Sequence, residues 1–202
     1  MNDSYPQIVL ASASPRRREL LAQLGLDIAV VPSRAEELLQ VGETPSQHAE
    51  RLSRDKAHEV ASRSGQAGRW FIGSDTIVVL DDSILGKPCD AADAKKMLSR
   101  LSGREHCVIS GYAVFDRKTG RTACGTVTTR VFFKSLTARE IEGYIATGEP
   151  FDKAGSYAIQ GVGAFMVPRI EGSYSNVVGL PLCEVMAALE DLGAVELFST
   201  GV

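Results

Sequence analysis

Hydrophobic and polar positions along this chain follow two patterns, one typical of buried strands and the other of amphipathic helices. Residues 69–82 give the clearest strand, because they are too continuously apolar for a sheet with one face in water. Residues 43–65 give the longest segment with helical periodicity. Strand patterns that alternate with helical ones indicate an α/β fold with helices on both sides of a mixed sheet.

The predicted elements follow one another without internal repeats, low-complexity tracts or linkers. Helices are predicted over 15–24, 43–65, 90–103, 137–148 and 180–193. Strands are predicted over 7–13, 28–32 and 69–82, followed by two long antiparallel strands within 105–136. The glycine-rich stretch 152–181 is expected to mix loop with short strands, and 164–167 has a strand pattern. We therefore expect one α/β domain covering residues 1–202.

Composition and charge narrow the class of protein. The 202 residues are 44% hydrophobic with a net charge of −3, which argues against a general nucleic-acid-binding surface. No stretch approaches the roughly 18 apolar residues of a membrane span, and the N-terminus lacks the basic region of a signal peptide. The four cysteines are widely spaced, which favours free thiols over disulfides. We expect a cytoplasmic protein that binds neither nucleic acid nor membranes.

Three consecutive arginines in LASASPRRRELL, residues 10–21, lie where a helix should begin, with Ser14 as cap and Pro15 at the first position. A helix N-terminus already carries partial positive charge, so cations there are unfavourable. The conflict disappears if an anion such as phosphate binds the free amide groups and guanidinium groups. Solvated arginines are the alternative.

Two further charged residues interrupt apolar patterns. Lys56 falls in the middle of the apolar stripe of the long helix, where it either reaches the rim of the core or meets an anion in a pocket. Asp75 lies mid-strand on the same face as Phe71 and Ile77. A buried carboxylate is costly unless it is paired, protonated or bound to a metal, so Asp75 is either catalytic or part of a structural ion pair.

Three other segments carry candidate polar groups: Lys87 in LGKP, the pair Glu36–Glu37 after the second strand, and Gln160 in DKAGSYAIQG. Each could equally be an ordinary surface or loop residue. Taken with the arginines, Lys56 and Asp75, they provide several cations and two or three carboxylates. That combination suits a polyphosphate bridged by a divalent metal, with lysine and arginine on phosphate oxygens and carboxylates on the metal.

In their order along the chain, these segments resemble the Maf family of nucleoside triphosphate pyrophosphatases. The resemblance rests on LASASPRRRELL, EE, RLSRDKA, IGSDTIVVLD, LGKP, DKAGSYAIQG and GSYSNVVGLPL, which span roughly residues 8–182. It implies the fold of inosine-triphosphate pyrophosphatases, an elongated domain with a central mixed sheet and a deep cleft between two lobes. It also implies a cytoplasmic enzyme that uses a divalent metal, Mg²⁺ or Mn²⁺, and it is consistent with a homodimer.

The resemblance also implies a role for individual residues. Asp75 matches the proton acceptor, and Glu37 together with Asp75 the metal ligands. The base-specificity positions correspond to Arg16, Thr76 and Gln160, and the phosphate-binding positions to Ser12, Arg17, Lys56 and Lys87. Thr in GSDT and Gln in AIQG resemble the branch acting on dTTP and UTP, whereas the 7-methyl-GTP branch resembles GSDQ with a later Glu. The alternative is a regulator of cell division that binds nucleotide without turnover.

Overall fold

The computed structural model describes residues 7–198 and contains the helices and most of the strands that the hydrophobic pattern predicts. The strands are β1 (Ile8–Leu10), β2 (Ile28–Val30), β3 (Trp70–Leu80), β4 (Ser83–Leu85), β5 (Glu105–Asp116), β6 (Thr122–Phe132) and β7 (Arg169–Glu171). The helices are α1 (Pro15–Ala22), α2 (Pro45–Ala61), α3 (Ala91–Leu101), α4 (Ala138–Ala146), α5 (Tyr174–Val178) and α6 (Leu182–Asp191). Three short 3₁₀ helices cover Glu149–Asp152, Ala154–Ser156 and Gly161–Met166.

The strands form a seven-stranded mixed sheet, which confirms the predicted fold class. Its order is β2-β1-β3-β5-β6-β7, and β4 pairs with β3 outside this path. β1 runs parallel to both β2 and β3, whereas β4 and β7 run antiparallel to their partners. The register sets Leu10 beside Ile72, so β1 pairs with the first three residues of β3, and Asp75 follows three residues later.

By the distribution of its contacts the chain divides into two compact units. Within the described range, the first contains residues 7–75, 110–126 and 179–198, and the second contains 76–109 and 127–178. The first has a core of Val9, Ala11, Ala57, Val60, Ala61, Phe71 and Ala113. The second has a core around Leu98, Leu101, Phe133, Tyr144, Tyr157 and Met166. Whether they behave as a single domain stays a prediction, as does the deep cleft.

The predicted helix starts are confirmed at their caps. Thr44 and Gln47 form a reciprocal capping box at the start of α2, and Thr137 and Glu140 form another at α4. Ser14 holds the cap position of α1, but its side chain makes no capping hydrogen bond there. The first turn of α1 therefore keeps amide groups that its own cap residue does not engage.

The glycine-rich stretch differs from its prediction. β7 is a short strand as expected, but the strand pattern at 164–167 is wrong, because Gly161–Met166 forms a 3₁₀ helix. Gly161 has a φ of 71°, outside the strand region, and the carboxylate of Glu149 accepts hydrogen bonds from the next two amides. A side chain distant in sequence thus overrides the local apolar pattern.

Candidate active site

At the start of α1, one of the three arginines has its side chain held by hydrogen bonds within the protein. Arg17 donates three hydrogen bonds, from Nε to the Gly179 carbonyl at 2.7 Å and from one terminal nitrogen to Ser12 Oγ at 3.1 Å and the Ser74 carbonyl at 2.8 Å. Ser12 is buried, and its hydroxyl also accepts from the Ser14 amide. Arg17 is therefore a fixed charge, whereas Arg18 is exposed, as a solvated arginine would be.

The electrostatics of Arg17 link this turn to the two acids predicted as functional. Burial lowers the pKa of the Arg17 guanidinium, while the negative charges of Asp75 and Glu37 oppose that shift. A cation held here by backbone carbonyls keeps its charge at neutral pH. It can therefore act as a permanent anion-binding group.

Two glycines allow α2 to pack directly on the sheet. A Cβ added at Gly73 would lie 2.0 Å from the Ser53 carbonyl oxygen, and one at Gly111 would lie 2.1 Å from the Ala49 carbonyl oxygen. At this close approach Ser53 Oγ donates to the Ala49 carbonyl and accepts from the backbone amide of Asp75 at 3.0 Å. The helix is thereby tied to the strand at the position of the candidate catalytic acid.

Lys56 lies one turn further along α2 and joins the two acids. Its ammonium contacts Asp75 Oδ1 at 2.7 Å and Glu37 Oε1 at 2.5 Å. Lys56 and Asp75 are both only 8% exposed, whereas Glu37 is mostly exposed. Lys56 is thus buried against carboxylates rather than at the rim of the core, and Asp75 has the charged partner that its burial requires.

The loop that carries Glu37 is attached to α2 on both sides of that residue. Glu59 accepts hydrogen bonds from the Ser33 hydroxyl and the Arg34 amide. After Glu37, Arg51 donates to the Leu38 carbonyl at 2.9 Å and is itself held by Glu43, whose carboxylate it contacts at 2.6 Å. Hydrogen bonds from Arg51 lower the pKa of Glu43 to about 2, so this pair stays charged at neutral pH.

The two carboxylates suit a divalent cation in chemistry and placement. Asp75 and Glu37 both contact the Lys56 ammonium, so their carboxylates converge on one place. Hard divalent cations prefer carboxylate oxygens as ligands. Within residues 7–198, no cluster of three or more His, Cys, Asp or Glu side chains is arranged to hold a metal ion. A metal at this pair would therefore need further oxygen ligands from substrate or water.

Three of the predicted residues, Thr76, Lys87 and Gln160, lie in the second unit. Thr76 follows Asp75 directly in β3 and is partly buried, as is Gln160. Lys87 is exposed, in a turn where the Gly86 carbonyl accepts a hydrogen bond from the Gly155 amide. Lys153, from the same motif as Gln160, is engaged by its neighbours Asp152 and Glu149.

The structure thus brings five predicted residues together in the first unit, namely Ser12, Arg17, Glu37, Lys56 and Asp75. Arg16 lies in the same unit, partly buried beside Arg17. The sequence reading missed Ser53 and Arg51, which hold the Asp75 amide and the Glu37 loop. The available signals were their place in the RLSRDKA motif and their position on α2, three and five residues before Lys56.

Comparison with known proteins identifies the family of this chain. Residues 7–192 match the family model described as Maf-like protein. The chain belongs to the Maf family. The site residues from Ser12 to Gln160 all fall within the part that matches the Maf family.

Several curated relatives are similar to this chain over most of its length. This chain is 67% identical over 193 residues to the dTTP/UTP pyrophosphatase of Syntrophotalea carbinolica, covering 96% of this chain and 88% of that protein. It is 56% identical to the dTTP/UTP pyrophosphatase of Geotalea uraniireducens, covering 97% and 100% of the two chains. The relative of the same name in Vibrio cholerae is 56% identical over 88% of this chain and 94% of its own.

Two further features of the described residues bear on the class of protein. All four cysteines lie in the described range and are free thiols, as predicted. None of the helices between residues 7 and 198 has the length and apolar character that crossing a membrane requires.

Proposed function

We propose that this chain hydrolyses dTTP and UTP to the nucleoside monophosphate and pyrophosphate. The observation that carries the proposal is the contact of Lys56 with both Asp75 and Glu37, in the same unit as the partly buried Arg17. Carboxylates and fixed cations at one point are the groups that a metal-bound triphosphate requires. The high identity to proteins named dTTP/UTP pyrophosphatase supports the choice of substrate.

Phosphate binding is assigned to four side chains: Ser12, Arg17, Lys56 and Lys87. Arg17 is fixed by its bonds to Ser12 and two backbone carbonyls, so it binds charge without reorganisation. Lys87, exposed in its turn, supplies a mobile cation. The amides at the start of α1 add donors that Ser14 leaves unengaged.

Base recognition is assigned to Arg16, Thr76 and Gln160. An amide side chain both donates and accepts, which matches the adjacent O4 acceptor and N3–H donor of thymine and uracil. Cytosine presents the reverse order, so a fixed amide orientation discriminates between the two bases. Selectivity then depends on how firmly Gln160 is oriented.

In the reaction, Asp75 accepts the proton of the water that attacks the α-phosphorus. Its burial and its contact with Lys56 hold the acid in one place. Glu37 and Asp75 would hold Mg²⁺ or Mn²⁺, which would supply Lewis-acid stabilisation of the triphosphate. Arg17 and the lysines stabilise the negative charge that develops on the departing pyrophosphate. We also propose that the enzyme works in the cytoplasm, where free thiols persist.

Arg51→Gln is expected to raise the Mg²⁺ concentration required for half-maximal activity by about tenfold, because residues that support metal ligands typically alter metal affinity 10–100-fold. The change removes the bond that holds the Leu38 carbonyl next to Glu37. Initial rates at saturating dTTP across a Mg²⁺ titration measure it. The control is Arg54→Gln on the same helix, because the one ion pair of Arg54 within residues 7–198 is an exposed one with Glu50. Equal midpoints for the two variants would contradict the role of Arg51.

A pyrophosphate-release assay with dTTP, UTP, CTP, GTP and 7-methyl-GTP, each with Mg²⁺ and with Mn²⁺, tests the proposed function. We expect the highest kcat/KM for dTTP and UTP. A maximum on 7-methyl-GTP would overturn the substrate assignment. Binding without turnover of any nucleotide would favour the regulator of cell division, which no contact in the described site favours over the enzyme.

A further inference from the structure

The loop that carries Gln160 is held at one side by a buried tyrosine. Tyr144, in α4, is 2% exposed. Its hydroxyl donates to Glu149 Oε1 at 2.8 Å and accepts from the Ala158 amide at 3.3 Å. The chain is thereby fixed two residues before Gln160.

Glu149 holds the other side of the same loop. Its Oε2 accepts from the Val162 amide at 3.0 Å, and its Oε1 accepts from the Gly163 amide at 3.0 Å as well as from Tyr144. Burial alone would raise the pKa of this carboxyl, but these hydrogen bonds outweigh it and lower the pKa. Glu149 is therefore an ionised acceptor, as three converging donors require.

Glycines let the loop close tightly on this pair. Gly161 has a φ of 71°, and a Cβ there would lie 2.7 Å from Glu149 Oε2. A Cβ at Gly163 would lie 2.5 Å from the Ala158 carbonyl oxygen and 2.8 Å from the Tyr144 hydroxyl. Residues 158–163 thus form a closed turn around three oxygens of two side chains, Tyr144 and Glu149.

Gln160 is at the centre of this turn, and its side chain caps nothing in the 3₁₀ helix that follows. Within the described residues, no hydrogen bond or ion pair involves its amide group. The backbone on either side therefore fixes the Cα of Gln160 and the point at which its side chain leaves the loop. That backbone is fixed by Tyr144 and Glu149.

We infer that Tyr144 and Glu149 are positioning residues for base selectivity, acting on the nucleotide only through the position of Gln160. The inference rests on the proposed function for the identity of the base. Neither residue needs to touch substrate. They fix where the Gln160 side chain leaves the loop, and hence where its amide can meet the edge of a uracil or a cytosine base.

Glu149→Gln tests the inference because it preserves shape but removes one acceptor. If the amide oxygen keeps Gly163 and Tyr144, the new NH₂ faces the Val162 amide, and two donors meet. We expect the ratio of kcat/KM for UTP over CTP to fall about tenfold, mainly through KM for UTP. Tyr144→Phe, which removes both bonds of the hydroxyl, is expected to act in the same direction.

Glu140→Gln is the matched control. Glu140 lies on the same helix as Tyr144 and also accepts side-chain and backbone bonds, from Lys134 and Thr137, but none from residues 158–163. We expect it to lower the melting temperature without changing the UTP/CTP ratio. A double variant completes the test: in a Gln160→Ala background, Glu149→Gln should cause no further change in selectivity.

Calorimetric Kd values for UTP and CTP, measured beside turnover, separate this inference from the proposed function. An unchanged ratio in Glu149→Gln, or an equal change in Glu140→Gln, overturns the inference while turnover of UTP still supports the function. A ratio of Kd values that depends on Glu149 in a protein without turnover upholds the inference for binding and overturns the function. A further loss of selectivity in the Gln160→Ala background shows that Glu149 does not act through Gln160.

Discussion

Asp75→Asn is expected to lower kcat for dTTP and UTP by at least about 10²–10³-fold, the usual cost of removing one preorganised catalytic group. Asparagine has the shape of aspartate but cannot accept the proton of the attacking water. It also withdraws one of the two carboxylates that converge on Lys56. KM for the triphosphate should change far less, since Ser12 and Arg17 remain in place.

Asp116→Asn is the control for this variant. Asp116 is another buried carboxylate paired with a cation, Arg69, and it ties the turn between β5 and β6 through Lys118 and Thr119. Its loss should reduce the melting temperature and leave kcat near that of the wild type. Wild-type turnover by Asp75→Asn, or an equal loss of kcat in Asp116→Asn at a temperature where both are folded, would overturn the role of Asp75.

The elements were predictable because local chemistry specifies them. Thr44, Pro45 and Gln47 together encode the start of α2, and no tertiary contact is needed to identify it. The apolar run in β3 indicates burial on both faces, which the structure shows from Trp70 to Asp75. The charged residues that broke these patterns, Lys56 and Asp75, were visible because burial of a charge is costly.

What the sequence did not predict are contacts between residues far apart in the chain. Arg17 reaches the carbonyl of Gly179, 162 residues away, and no local pattern encodes that bond. Glu149 accepts hydrogen bonds from amides more than ten residues further along the chain. The segment that it holds forms a 3₁₀ helix, although its apolar pattern indicates a strand. Nothing in the local sequence distinguishes Ser53 from other polar residues of the helix. Its role depends on the close approach of α2 to β3 at Gly73.

Gly73→Ala is expected to have the largest effect on stability, because the added methyl meets backbone rather than a flexible side chain. Its Cβ would lie 2.0 Å from the Ser53 carbonyl oxygen and 2.8 Å from the Ala57 amide nitrogen, so α2 must move as a whole. Overpacking of this kind costs about 3 kcal/mol. In a chain of this length that corresponds to a fall in melting temperature of roughly 6–12 °C.

The same displacement should reduce activity in the fraction that remains folded. Ser53 and Lys56 move with α2, which loosens the bond to the Asp75 amide and the contact with its carboxylate. We expect kcat/KM to fall at least about tenfold, since misplacing a catalytic group by about 1 Å costs up to about 100-fold. Initial rates well below the melting temperature measure this effect apart from unfolding.

Gly143→Ala is the matched control, because the same methyl group is added where nothing lies within 4 Å. Gly143 is inside α4, where alanine is favoured over glycine by about 0.5–1 kcal/mol, so this variant should melt slightly higher than the wild type. Thermal unfolding of the two variants side by side decides the question. If Gly73→Ala melts and turns over like Gly143→Ala, then α2 does not rest on the β3 backbone, and the placement of Lys56 against Asp75 loses its structural basis.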